Sequence, residues 1–378
     1  MTTALIVGGG IAGTTAAMAL RKAGLDPAVV EARQHGAADR GAFLTIMPNG
    51  MDALAAVDAY AAVEDIGFPA LAPRVLDHNG KPLTEANREG SGSRRLAPRT
   101  MTRARLYEVL HAEARHRGIP VEHGKRLIEA RATGDGATEQ KATAVFDDGT
   151  TRTADVLIGA DGVHSRTRSW IDASAPAPQQ VGLTLIYGYA PEAPHPYPGG
   201  YCMIHGSQAF FGYTTDPNGT TWWFARLPGG NEDHATLEAT TAEQWKRRAR
   251  EHVAGDETPA ADIIDTTDEQ VTGLNAYDLP RVPTWRHRTM TLAGDAAHAA
   301  SPASAQGASM SLEDAVVLGR SLRDGPVDEA LDHYERLRRD RAERVVGMGR
   351  ARSQNSPDVE SPLAPWIVNH HIDWDART

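Results

Sequence analysis

The feature that most constrains this chain is GGGIAG at positions 8–13, because of what flanks it. Ala4 to Val7 is a short apolar run with the character of a buried strand. Gly8, Gly10 and Gly13 then form G-x-G-x-x-G, a helix pattern continues through Leu20, Arg21 and Lys22, and Gly24 ends it. PAVVE over 27–31 reads as a second strand, whose last residue, Glu31, lies 18 positions past Gly13. Strand, turn, helix, strand and terminal acid in this order make the βαβ unit that binds dinucleotides. Gly8 permits the tight turn, Gly10 lets backbone approach a pyrophosphate, and Gly13 allows close helix–strand packing. The helix N-terminus offers unpaired N–H groups and a partial positive charge to phosphate. Glu31 can accept the ribose hydroxyls of an adenosine. The motif by itself leaves FAD and NAD open.

A length of 378 residues suggests one large domain or two intimately joined ones. The net charge of −10 argues against a nucleic-acid partner, which would require a basic face. A single cysteine, Cys202, excludes an intrachain disulfide and fits a reducing, cytoplasmic setting. The N-terminal apolar stretch has no basic leader and is broken by glycines, so neither a signal peptide nor a membrane span is expected. The stretches 86–95 and 132–141 and the tail after Ser353 read as short polar loops.

Two further motifs lie downstream. TADVLIGADGVHSRTR (153–168) is a buried strand, Val156 to Ile158, closed by Gly159-Ala160-Asp161-Gly162. A carboxylate and a glycine at a strand end suit close approach to a phosphate-linked sugar; Asp161 could equally cap the next helix. LAGDAAHAASPASAQGASMSLEDA (292–315) opens with a strand, breaks at Gly294-Asp295, and runs through small residues and Pro302 into a helix beginning near Gly307.

Together these motifs resemble the single-component FAD-dependent aromatic hydroxylases, the para-hydroxybenzoate hydroxylase-like monooxygenases. Segments 31–54, 101–111 and 330–346 add to the resemblance, which is thin across 175–275. It implies an α/β fold: a Rossmann-like FAD-binding domain (1–70, 98–175 and 276–352), an inserted β-sheet substrate domain (71–97 and 176–275) and a C-terminal tail or helix (353–378). It implies that Gly8, Gly10, Ile11, Ala12 and Gly13 wrap the pyrophosphate, with Glu31, Ala32 and Arg33 at the adenosine and Leu127 giving backbone contacts to adenine. Arg40 and Gly41 would sit beside the flavin half, Arg103 would reach the ribityl or phosphate region, and Asp295 would hold a ribityl hydroxyl. Asp161 would lie near both FAD and the NAD(P)H approach. Pro302, Gly307, Ala308 and Ser309 complete the implied cofactor set.

The small residues of 292–315 would let the chain lie against a flat isoalloxazine. The helix from Gly307 would aim its N–H groups at the edge that becomes anionic on reduction, favouring it by about 0.3–2 kcal/mol. The usual glycines after Pro302 are replaced by Ala303-Ser304-Ala305, so either the loop path differs or those positions take ordinary conformations. His298 invites a general-base reading; the motif pattern favours a structural, hydrogen-bonding histidine.

The middle region is strand-rich, over 181–190, 201–206, 209–215 and 220–227. The turn Asp216-Pro217-Asn218-Gly219 makes 209–227 a hairpin. Alternation puts Phe211 and Tyr213 on one face and Trp222 and Phe224 on one face of the partner strand, candidates for contact with an aromatic substrate or for a packed sheet face. ALDHYERLRRDRAER (330–344) reads as a helix with Leu331, Tyr334 and Leu337 buried and its arginines on a solvated face. Asn369-His370-His371 is set aside as a metal site, since adjacent helical histidines point about 100° apart.

The expected function is an FAD-dependent monooxygenase. With NAD(P)H and O₂ it would hydroxylate or epoxidise an aromatic or polycyclic small molecule through a flavin C4a-hydroperoxide, acting as a monomer or homodimer. An FAD-dependent dehydrogenase or reductase of the same superfamily and a non-redox FAD-binding protein are the alternatives.

Overall fold

The computed structural model describes residues 1–34, 42–84, 96–134, 140–356 and 359–377. Its centre is a six-stranded sheet in the order Arg286–His287, Met290–Leu292, Val156–Gly159, Thr3–Val7, Asp26–Glu31, Val121–His123. All pairings are parallel except that of the first two strands. The Thr3–Val7 and Val156–Gly159 strands are apolar because both faces are covered, as a parallel sheet requires. Helix Ile11–Lys22 covers one face, and Gly319 of the Gly307–Asp324 helix lets that helix close on Ala19.

A seven-stranded sheet forms the second layer, ordered Val271–Asp278, Gln179–Ala190, Thr221–Pro228, Phe210–Thr215, Gly200–His205, Leu71–Asp77, Pro82–Thr84. The hairpin between Phe210–Thr215 and Thr221–Pro228 closes through the expected Asp216–Gly219 turn. The expected boundary at 275–276 falls inside the Val271–Asp278 strand. One face of this sheet is packed by helices Ala242–Val253 and Ala260–Asp265 around Trp223, Trp245 and Phe211. The other face carries Tyr187, Tyr189, Tyr201, Trp222 and Phe224, and looks toward the first layer.

The helix expected over 330–344 extends from Val327 to Ser353, and its buried stripe differs from the expected one. Leu331 and Tyr334 are fully buried, but Leu337 is 48% exposed and Arg338 takes the inward position at 1%. Arg338 is held there by Glu313 and Asp314 of the neighbouring helix, at 2.6 and 2.7 Å. A charged side chain replaces leucine in the stripe because its partners are buried with it.

Candidate functional site

At the nucleotide-binding turn the glycines are fixed by contact. A Cβ on Gly13 would stand 1.9 Å from the Gly8 carbonyl oxygen, and one on Gly8 would meet the Ala160 carbonyl at 2.3 Å. Gly8 also has φ +108°, a conformation that side chains disfavour. Gly10, by contrast, faces open space. The Glu31 carboxylate accepts the Gly9 N–H at 2.8 Å and the Arg33 N–H at 2.9 Å, which fixes the strand end against the turn.

His111 reaches the same turn from the Arg103–His116 helix. Its Nε2 lies 2.6 Å from the Gly9 carbonyl, and its ring stacks on Tyr107 with centroids 3.9 Å apart. Among the described residues, His111 Nδ1 and the Tyr107 hydroxyl are buried without a partner. Burial holds the His111 pKa down, and burial followed by the Glu31 charge pushes Tyr107 up to about 12. Neither residue was among the expected site residues, although both lie in the segment 101–111 that adds to the resemblance.

A cavity of about 700 Å³ begins at Gly10, Ile11 and Ala12 and continues between the two layers. It passes Arg103, Asp295, Pro302 and Gly307 and ends against Tyr187, Phe224 and Arg226 of the seven-stranded sheet. Helices Ile11–Lys22 and Gly307–Asp324 both open onto it. Neither has a capping side chain or an acidic residue in its first turn. Their first N–H groups therefore lack intrahelical partners and form two anion-favouring ends on one cavity. The tail contributes Leu363 and Val368 to the wall, which polar composition after Ser353 did not foretell.

The loop between the cavity and the helix at Gly307 is anchored from behind. Asp314 accepts from the Gly294 N–H at 2.8 Å, lies 2.6 Å from His298 Nε2 and pairs with Arg338. Glu313 pairs with Arg338 and Arg341 and accepts from Asn49 Nδ2 at 2.7 Å; the same Asn49 amide donates to Gln306. Burial alone would lower the His298 pKa, but the Asp314 carboxylate overcomes this and raises it. His298 is 4% exposed and is not among the residues that line the cavity.

Ala303 and Ser304 lie in a single 3₁₀ turn, Pro302–Ser304, in ordinary backbone conformations. Ala305 does not: its φ is +53°, and it lines the cavity. An alanine there carries left-handed strain that glycine would relieve, partly offset by glycine's greater unfolded-state entropy. Ala305→Gly is expected to raise stability by about 0.5–1 kcal/mol in chemical denaturation. A loss of stability would contradict the left-handed assignment.

Of the other expected site residues, Ile11, Ala12, Arg103, Asp295, Pro302, Gly307 and Ala308 border the cavity. Arg33 is exposed just beyond Glu31, and Ala32 is half-buried there. Leu127 is buried, and its carbonyl accepts from Arg166 at 3.2 Å. The Asp161 carboxylate is committed to the start of the next helix, accepting from Ser165 Oγ, the Arg166 N–H and the Thr167 N–H; only its neighbours Ala160 and Gly162 line the cavity. Ser309 also turns away, its hydroxyl accepting from the Met47 N–H at 3.0 Å. Arg40 and Gly41 lie outside the described residues.

The aromatic candidates divide by strand parity. Phe211 and Tyr213 are buried on the helix-covered face, with Phe211 stacked on Trp223 at 5.5 Å, and they do not face the cavity. Their neighbour Phe210 does, opposite Arg226. Phe224 lines the cavity, whereas Trp222 stands behind that wall, packed on Phe43 and Phe68 at 5.5 and 5.1 Å.

A family model described as "FAD binding domain" matches residues 1–348. The chain belongs to this FAD-binding family. The FAD-dependent urate hydroxylase of Klebsiella pneumoniae subsp. pneumoniae is 30% identical over 363 residues, covering 92% of this chain and 89% of that protein. Aurachin C monooxygenase/isomerase of Stigmatella aurantiaca is 28% identical over 370 residues, covering 97% and 92%. Klebsiella pneumoniae HpxO complexed with FAD and uric acid superposes with a TM-score of 0.79 at 24% identity, over 98% of this chain and 93% of that one. CtdE in complex with FAD and substrate 4 gives 0.81 at 21% identity, over 99% and 96%. These two likenesses show the fold.

The resemblance to the aromatic hydroxylases, carried in sequence by three motifs, thus extends along the chain, and this flavoprotein is an FAD-dependent monooxygenase by family. Among its described residues no helix is long and apolar enough to cross a membrane. His371 pairs with Asp52 at 2.9 Å, while burial lowers His370 to about 4.

Proposed function

We propose that the protein uses FAD, NADH or NADPH and O₂ to place one oxygen atom on an aromatic or polycyclic small molecule. The observation that carries this reading is the single cavity onto which two uncapped helix N-termini and an aromatic sheet face all open. The open space at Gly10 and the absence of any acid in the first turn fit a dinucleotide pyrophosphate.

Gly10, Ile11 and Ala12 would give N–H groups to that pyrophosphate. Glu31, with Ala32, Arg33 and the Leu127 backbone, would hold the adenosine. Arg103 and Asp295 would take the ribityl region, and Pro302, Gly307 and Ala308 would border the flavin ring. FAD, when bound, would supply the redox chemistry between the nicotinamide and O₂.

The chain's own work is position and field. The N–H groups from Gly307 onward favour negative charge at the cavity wall. Phe43, Tyr187, Phe210 and Phe224 confine a flat ring and keep water from it; Phe43 and Tyr187 pack edge-on at 5.5 Å. The Tyr201 hydroxyl is tied to Thr45 and Thr100 at 3.0 and 3.1 Å and is pushed up to about 12 chiefly by burial, so it stays protonated at the cavity edge.

The test is NAD(P)H oxidation by the purified yellow protein across phenols, indoles and polycyclic aromatics under isotopically labelled O₂. A product heavier by one labelled oxygen is expected. Turnover without incorporation points to a dehydrogenase, and failure of NAD(P)H to bleach the flavin with any compound points to a non-redox role.

A further inference from the structure

We propose that Arg226 and Arg352 form a receptor for a carboxylate on the substrate, so that the cavity selects aromatic acids over neutral rings of the same size. This rests on the aromatic-substrate reading above and narrows it.

The two guanidinium groups come from separate elements and border one cavity. Arg226 lies on the cavity face of the Thr221–Pro228 strand, two positions past Phe224. Its guanidinium carbon sits 3.7 Å from the ring centroid of Phe210, its register partner on the neighbouring strand. Stacking covers one face of the group and leaves its N–H edge for an acceptor; Nε is buried with none among the described residues. Arg352 comes from the last turn of the Val327–Ser353 helix. Its Nε donates to the Ala303 carbonyl at 3.1 Å and its Nη1 to the Glu360 carbonyl at 3.4 Å. Both acceptors are neutral, so neither compensates the charge.

No described carboxylate acts on either arginine. Burial, then the charge of Arg352, lowers the Arg226 pKa to about 10, and burial lowers Arg352. Among the described residues the one carboxylate lining the cavity, Asp295, stands beside Gly307, its Oδ1 3.9 Å from where a Cβ of that glycine would lie. His205 shares the wall; burial, Arg226 and Arg352 all lower its pKa, so it is neutral at pH 7 and adds no third charge. Two partly desolvated like charges in an apolar wall are unfavourable until an anion joins them. A carboxylate matches that need, since guanidinium–carboxylate bonds are charge-assisted and directional.

The FAD-loaded protein is titrated with 2-naphthoate and with 2-naphthamide, reading the change in flavin absorbance. The native protein should bind the acid about tenfold or more tightly than the amide. Arg226→Met and Arg352→Met should each remove that preference and leave the amide affinity within about twofold, while Arg226→Lys and Arg352→Lys keep part of it. Where a methionine variant loses flavin, the lysine variants carry the comparison. Equal binding of acid and amide to the native protein overturns the arginine assignment and leaves the aromatic cavity standing. Binding of neither overturns both. Saturating NADP⁺ should leave the naphthoate affinity unchanged; competition would reassign the pair to nucleotide phosphate and overturn the proposal.

Discussion

Arg338→Met is expected to destabilise the protein by about 3–5 kcal/mol, read as a shift in the denaturation midpoint. Arg338 and both of its carboxylate partners, Glu313 and Asp314, are at most 1% exposed. Removing the guanidinium leaves Asp314 with His298 and the Gly294 N–H, and Glu313 with Arg341 and Asn49. Two buried carboxylates would then share less positive charge than they need. Glu313→Gln added to Arg338→Met should recover part of the loss, because it removes one uncompensated charge. Arg336→Met, on the exposed side of the same helix, should change stability by less than about 0.5 kcal/mol. A loss under about 1 kcal/mol for Arg338→Met would remove the network from the forces that hold the Gly294–Gly307 loop.

The second large effect is at the nucleotide-binding turn, where two alanine substitutions should part company. Gly13→Ala forces a methyl group to 1.9 Å from the Gly8 carbonyl, so helix and turn must separate. Both stability and FAD retention should fall, the latter by more than about tenfold, measured as flavin absorbance per protein and by reconstitution with added FAD. Gly10→Ala meets nothing within 4 Å. Its stability without cofactor should stay within about 0.5 kcal/mol, while FAD affinity falls, because the methyl group occupies the proposed pyrophosphate space. Full FAD retention by Gly10→Ala would move the pyrophosphate elsewhere.

What could be read in the sequence follows from how local each signal is. The βαβ unit was legible because glycine spacing, strand character and Glu31 all act within one short segment, and the structure places its strands at Thr3–Val7 and Asp26–Glu31. Asp295 at a strand end was legible for the same reason. Strand alternation correctly grouped Phe211 with Tyr213, but alternation does not say which face meets a cavity; that depends on helices Ala242–Val253 and Ala260–Asp265 covering one side. Arg338 escaped notice because an arginine in a run of arginines reads as solvated until its partners, 24 and 25 positions away, are known. His111 and Tyr107 escaped because nothing in a helix pattern marks a side chain that reaches a distant turn.

The tail has a consequence for how such a chamber is reshaped. Leu363 and Val368 form part of the wall, and Arg341 grips the intervening carbonyls of Trp366 and Ile367 at 2.8 and 2.9 Å while paired with Glu313. One side of the chamber is therefore a clasped strap and not a strand of either sheet. Exchanging residues along that strap alters the room available to a guest without repacking a sheet, so substrate range can drift at the chain's periphery while its architecture stays fixed.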